Sequence, residues 1–275
     1  FSGDTRAAGG ALVIGAGNAI QNSTLNLATE DAGSVTFGSF ASATIGGLKC
    51  ARILMLTNAS GTALALTVGN NFTGTNIYYG TLTGNGSLTK TGSGVQILAG
   101  NNNFTGVLNV DTAQPSSGND GAVRIASPAA LSAAAFIQIR NQNSATSTLQ
   151  LDGSSGDISL AQPVLINGRN NTVPAIQNLS GANSLNGDLS LGSGGSTYLI
   201  QSDGGTLILG GAVGVHSLTS GRVLTFQGEG DILISGGIAN GSSFANTVVK
   251  AGGGTLNLSG VNTYTGTTTV NAGTL

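Results

Sequence analysis

Charge is scarce in this chain. Charged residues make up 7% of 275 positions, against about 25% in an ordinary globular domain. The nine basic residues are spread singly and the net charge is −2, so no basic stripe exists to neutralise phosphates and no nucleic-acid partner is expected. There is one cysteine, Cys50, which excludes an intrachain disulfide. It leaves two alternatives: a small buried apolar residue, or a thiol activated by the flanking Lys49 and Arg52. There is one histidine, His216, with no carboxylate beside it in sequence, and no tryptophan. Too few histidines and cysteines remain for a zinc centre, and a Ser-His-Asp set has only His216 to draw on. No apolar run reaches the about 18 residues of a membrane helix, and Phe1–Arg6 lacks the pattern of a signal peptide. Sustained helical periodicity is missing throughout.

What remains is glycine, 46 residues of it, with Ser, Thr and Asn separating apolar runs of three to five residues. Hydrophobic residues still make up 39%, too many for a disordered chain. Short strands joined by tight turns follow from that mixture. Pro128–Ala135 is the one stretch that reads as a single helical turn.

The chain also repeats itself. Lys250–Leu275 slid back by 160 positions lies on Lys90–Asp111 and beyond, and nine of the 22 positions from Lys90 to Asp111 are identical. These are Lys90, Gly92, Gly94, Leu98, Gly100, Asn102, Thr105, Gly106 and Val110, matching Lys250, Gly252, Gly254, Leu258, Gly260, Asn262, Thr265, Gly266 and Val270. Phe104 faces Tyr264, another aromatic. Shorter copies lie at 69–74 and 181–187, and Gly121–Leu131 resembles Gly10–Ile20. Strands this short bury little alone; wound so that each coil stacks on the one before, they form parallel sheets. The expectation is an all-β, right-handed parallel β-helix of about a dozen coils, at about 20–25 residues per coil, running through 1–275 as a single segment of a longer array. Glycines take corners that need a positive φ, and stacked Asn side chains bond coil to coil. An antiparallel sandwich is the competing fold.

Lys250–Leu275 closely resembles the passenger-associated transport repeat, also called the autotransporter-associated β-strand repeat. Gly252, Gly254, Thr255, Leu256, Leu258, Ser259, Gly260, Asn262, Tyr264, Thr265, Gly266, Val270, Asn271, Gly273 and Leu275 fit its pattern. Lys90–Val110 fits less fully, with Gln96 where Leu is usual. The resemblance implies the secreted, β-helical part of a large bacterial surface protein, exported in many members through an outer-membrane barrel that is not in this sequence. Its members include adhesins, proteases and structural fibres.

No catalytic, cofactor-binding or metal-binding residue is assigned. The expected function is a structural or adhesive extracellular fibre segment, not an enzyme. Its expected partners are further copies of itself stacked end to end and a host or neighbouring-cell surface. Lys90 and Lys250 read either as solvated turns or as contacts between units. The alternative is a glycan-binding or glycan-cleaving domain, with a groove lined by Tyr78, Tyr79 or Tyr198 beside acids such as Asp152, Asp157 or Asp203. Asp152 and Asp157, five residues apart, could also converge at one turn, or each cap a turn of its own.

Overall fold

The computed structural model describes residues 2–70, 74–110, 121–140, 146–167, 169–170, 172–192, 194–215, 221–240 and 244–275. Every strand-to-strand pairing in its sheets is parallel. The chain winds as a three-sided solenoid. One face is a 12-stranded sheet that begins with Asp4–Thr5 and Thr24–Leu27 and ends with Thr247–Lys250 and Thr268–Val270. The face preceding it in each coil is an eight-stranded sheet, from Ser42–Ile45 to Val213–Val215. The remaining face is split into sheets of two, two and five strands. The pairing Asp4↔Thr24 closes a coil of 20 residues, and Cys50↔Tyr78 closes one of 28.

Alternation along each strand sets what points inward. On the eight-stranded face Leu66, Leu88, Leu108, Ile137, Val164, Leu189 and Val213 stand in register, and all are buried. Such columns from three faces meet as one apolar core along the axis. Each inner leucine contributes about 1.5–3 kcal/mol by leaving water. On the outer side of the 12-stranded face Gln150, Gln177, Gln201 and Gln227 are in register. Gln150 Nε2 donates to Gln177 Oε1 (3.0 Å), and Gln227 Nε2 to Gln201 Oε1 (2.6 Å). Asp203 joins the middle rungs, accepting from Gln177 (2.7 Å) and Gln201 (2.6 Å).

Pro128–Ala135 forms turns, and the short 3-10 turn among the described residues is instead Gly153–Ser155. The likeness of Gly10–Ile20 to Gly121–Leu131 does not carry into position: Ala122–Ile125 belongs to the 12-stranded face, whereas Ala11–Ile14 pairs with Ser34–Phe37 on the split face. Both are strands followed by a turn that buries an apolar residue, Ile20 or Leu131, and that local pattern is compatible with either face.

Candidate functional site

The repeat motif builds one corner and one strandless arc of a coil. Lys90 ends a strand and stands in an inner column between Val68 and Val110. Its stem therefore runs inside, and Nζ emerges past the strand end to donate to the carbonyls of Thr91 (2.7 Å) and Gly92 (2.7 Å). Lys250 does the same between Phe226 and Val270, donating to Ala251 (2.7 Å), Gly252 (2.7 Å) and Ala272 (3.3 Å). The two lysines are 1% and 2% exposed, so neither is a solvated turn or a contact between units. The inward column leaves them no outward path, and the turn carbonyls satisfy their ammonium protons. Burial pulls Lys250 below its ordinary value, while Glu229 and Asp231 oppose that shift. Gly92 and Gly252 turn the corner at φ 72° and 75°, a region open to glycine without strain. Gly94 and Gly254 follow them: the Gly94 carbonyl accepts from Ala122 N in the next coil (3.2 Å), and a Cβ on Gly254 would sit 2.1 Å from the Gly230 carbonyl.

After the next strand, which ends at Leu98 or Leu258, the chain passes Gly100 or Gly260 and forms no strand on the following face. An asparagine takes the place of the missing ladder. Asn102 Oδ1 accepts from Leu82 N in the coil below (2.8 Å), and Nδ2 donates to Gly100 O (3.2 Å) and to Ala130 O in the coil above (3.0 Å). Asn262 repeats the lower bonds, to Ile238 N (2.9 Å) and Gly260 O (2.9 Å). Phe104, fully buried, fills the arc from inside. Thr105 N bonds to the coil below through Gly84 O (2.9 Å), and Thr265 N through Asn240 Oδ1 (3.2 Å). Gly106 and Gly266 lie so close to the backbone of the coil below that a Cβ would sit 2.1 Å from a carbonyl oxygen in each. Asn183, in the weak copy, accepts from Ile158 N one coil down (2.7 Å).

The passenger-associated-transport-repeat family model matches residues 88–113 and 248–275. The chain carries two passenger-associated transport repeats. No curated protein and no solved structure matches the chain. The repeats and the parallel solenoid together support a surface protein of the passenger type.

Between the two repeats and the N-terminus the ladder is broken. Strands Gly47–Cys50 and Thr75–Tyr78 of the 12-stranded face pair only at Cys50↔Tyr78. Gln96 seals the gap from inside. Its side chain accepts from Leu48 N (3.3 Å) and donates to Leu48 O (2.9 Å), acting as a substitute peptide group for a strand that has moved away. This explains the departure from leucine at this position of the first repeat. Cys50, at the pivot, has φ 71°, alone among the described non-glycine residues in that region.

Outside the gap lies an open depression of about 690 Å³, lined in part by Asn26, Glu30, Lys49, Cys50, Asn76 and Tyr79. Cys50 is half-buried, which matches neither of its expected roles, and its flanking cations are engaged elsewhere: Lys49 with Asp4 (2.7 Å) and Arg52 with the Gly33 carbonyl. Burial pushes the Asp4 carboxyl up, but Lys49 and Asn26 outweigh it and hold Asp4 below its ordinary value. Arg6 donates to Asp31 Oδ1 (2.6 Å) and Glu30 Oε1 (2.8 Å), and holds Asp31 low as well.

The expected tyrosine groove does not form. Tyr78 and Tyr198 are fully buried, donating to Arg52 O (2.7 Å) and Gly192 O (2.7 Å), and burial raises the pKa of both. Their rings point inward because they occupy core-facing strand positions; Tyr79, next in sequence, points out and is 59% exposed. The acids serve turns and rungs. Asp152 accepts from Ser154 N (3.2 Å) and Ser180 Oγ (3.1 Å), and Asp157 from Ala182 N in the next coil (2.8 Å). His216 lies outside the described residues, as do 71–73 of the short copy at 69–74 and Asp111 at the end of the first repeat.

Proposed function

We propose that this chain is a stiff extracellular segment of a passenger-type bacterial surface protein, structural or adhesive rather than catalytic. The observation that carries this reading is the 12-stranded sheet of one direction, in which coil bonds to coil along the axis with one break among the described strands. Bending such a rod breaks backbone bonds in several faces at once, so the fold favours length and stiffness. Asp152, Asp157 and Asp203 are held by turns and rungs, which also supports a scaffold rather than a hydrolase.

Partners follow the same logic. Val270, on the last strand of the 12-stranded face, is 46% exposed, whereas Val110, its counterpart with coils on both sides, is fully buried. A second coil of the same kind, from a longer chain or another copy, suits that edge. Export through an outer-membrane barrel and contact with a host or neighbouring-cell surface complete the reading. The test is to display the intact natural protein on its bacterium and image it by electron microscopy. Rods standing off the surface are expected. Globular particles, or a sharp globular monomer on gel filtration, would overturn it.

A further inference from the structure

We propose that the side chains of Lys49 and Asn26 join through a covalent amide bond, formed by the protein itself with Asp4 as the proton carrier. The two residues stand directly opposite each other on neighbouring parallel strands, Asn26 in Thr24–Leu27 and Lys49 in Gly47–Cys50. Neighbouring strands lie about 4.8 Å apart. Both side chains converge on one atom, Asp4 Oδ2, with Lys49 Nζ at 2.7 Å and Asn26 Nδ2 at 2.8 Å. The amine and the carboxamide therefore stand within two hydrogen-bond lengths of each other, with a carboxyl between them. Asn26 is buried and its Oδ1 has no partner, so Asp4 alone holds the group.

These are the parts that amide exchange needs: a nucleophilic amine, an acyl carbon and a group that moves protons. Asp4 takes a proton from the Lys49 ammonium, and the neutral Nζ attacks Cγ of Asn26. The Nζ–Cγ bond forms and the Cγ–Nδ2 bond breaks. The two protons that Nζ loses pass through Asp4 to Nδ2, which leaves as ammonium. Asp4 ends as the carboxylate it began, and nothing is oxidised or reduced. The ion pair is the major form, so neutral amine is scarce and the step is slow. It is taken once, and the ammonium diffuses away. Fixed neighbours supply the effective concentration, and the burial of Asn26 keeps water, the competing nucleophile, from Cγ. The bond ties one coil to the next beside the break at Cys50↔Tyr78, where the ladder is held by a single pairing.

Mass spectrometry of the intact folded protein, aged at neutral pH, reads the bond as the loss of one ammonia from the sequence mass. Digestion reads it as a branched peptide joining the segments around Asn26 and Lys49. Both are expected in wild type. Lys49→Arg, which keeps the charge beside Asp4, and Asp4→Ala, at a side chain 39% exposed, are each expected to keep the full mass. A wild type with the full sequence mass overturns the proposal. So does an ammonia loss without the branched peptide, or one that survives in Lys49→Arg, since a succinimide at an Asn–Gly pair such as Asn85-Gly86 sheds the same mass. A branched peptide that forms as fast in Asp4→Ala overturns it too. Wild type carries the test even where a variant misfolds. The bond does not depend on the rod reading: a protein that fails to form rods can still carry it, and a rod can lack it.

Discussion

The two transport repeats share a sequence pattern and occupy different faces. In the first copy Lys90 ends a strand of the eight-stranded sheet, Val95–Leu98 lies on the 12-stranded face, and the arc around Asn102 covers the split face. In the second, Lys250 ends a strand of the 12-stranded face, Leu256–Leu258 lies on the split face, and the arc around Asn262 falls where the eight-stranded sheet would continue. The motif has advanced by one side of the triangle. Its corner and arc keep their bonds because these involve the coil below and the motif's own turn, whichever face they meet. The motif therefore specifies a strand–corner–strand–arc path, and leaves its phase around the axis to the lengths of the coils before it.

Burial separates the copies further. Asn102 bonds to coils on both sides, Asn262 only to the one below. Phe104 is enclosed, whereas Tyr264 is half-buried with its hydroxyl beside Thr268 (2.5 Å). Val110 is fully buried and Val270 is 46% exposed.

The largest contrast is expected at the aromatic. Phe104→Ala should destabilise by about 4 kcal/mol, and Tyr264→Ala by about 1 kcal/mol or less, because only the first leaves a cavity inside the core. Denaturant melts followed by hydrogen exchange over each arc read this difference, and equal effects would show that the end coil is as well packed as the interior. A second change makes the first repeat conform to the motif. Gln96→Leu restores the usual residue yet should cost about 2 kcal/mol, since the peptide groups of Leu48 that face the gap lose their substitute partner. If the variant is instead more stable, the strands at the break close without Gln96.

The smallest effect concerns pH. Lys250 has its folded pKa below the ordinary 10.5, so the unfolded chain binds more protons between the two values. The burial penalty is fully present below the folded pKa and is relieved as pH rises toward 10.5. Thermal melts stepped upward from about pH 8 should show wild type gaining relative to Lys250→Met, whose side chain keeps the stem and carries no proton to lose. Parallel curves would mean that the turn carbonyls fully offset the burial.

Much of this was legible in residues alone. Gly92, Gly252 and the Asn102–Asn262 pair announce corner and rung, because φ and a side-chain amide are local properties. The apolar runs of three to five announce inward columns. A charge at a turn is ordinarily solvated or shared between units, so the residues alone do not place these lysines inside; only the inner column, together with carbonyls one and two residues on, makes an interior ammonium tolerable. Likewise nothing in Tyr78-Tyr79 says which ring faces out, since a shift of one residue exchanges them.

Sequence by itself determined the winding: short apolar runs, glycine corners and asparagine arcs can satisfy their backbone only against neighbouring coils. Tertiary structure decided the phase of each repeat, the break at Cys50 and the depression beside Tyr79. These depend on how long each coil is and on what lies one and two coils away, and Gln96 reaching back to Leu48 spans 48 positions of sequence that no local pattern connects.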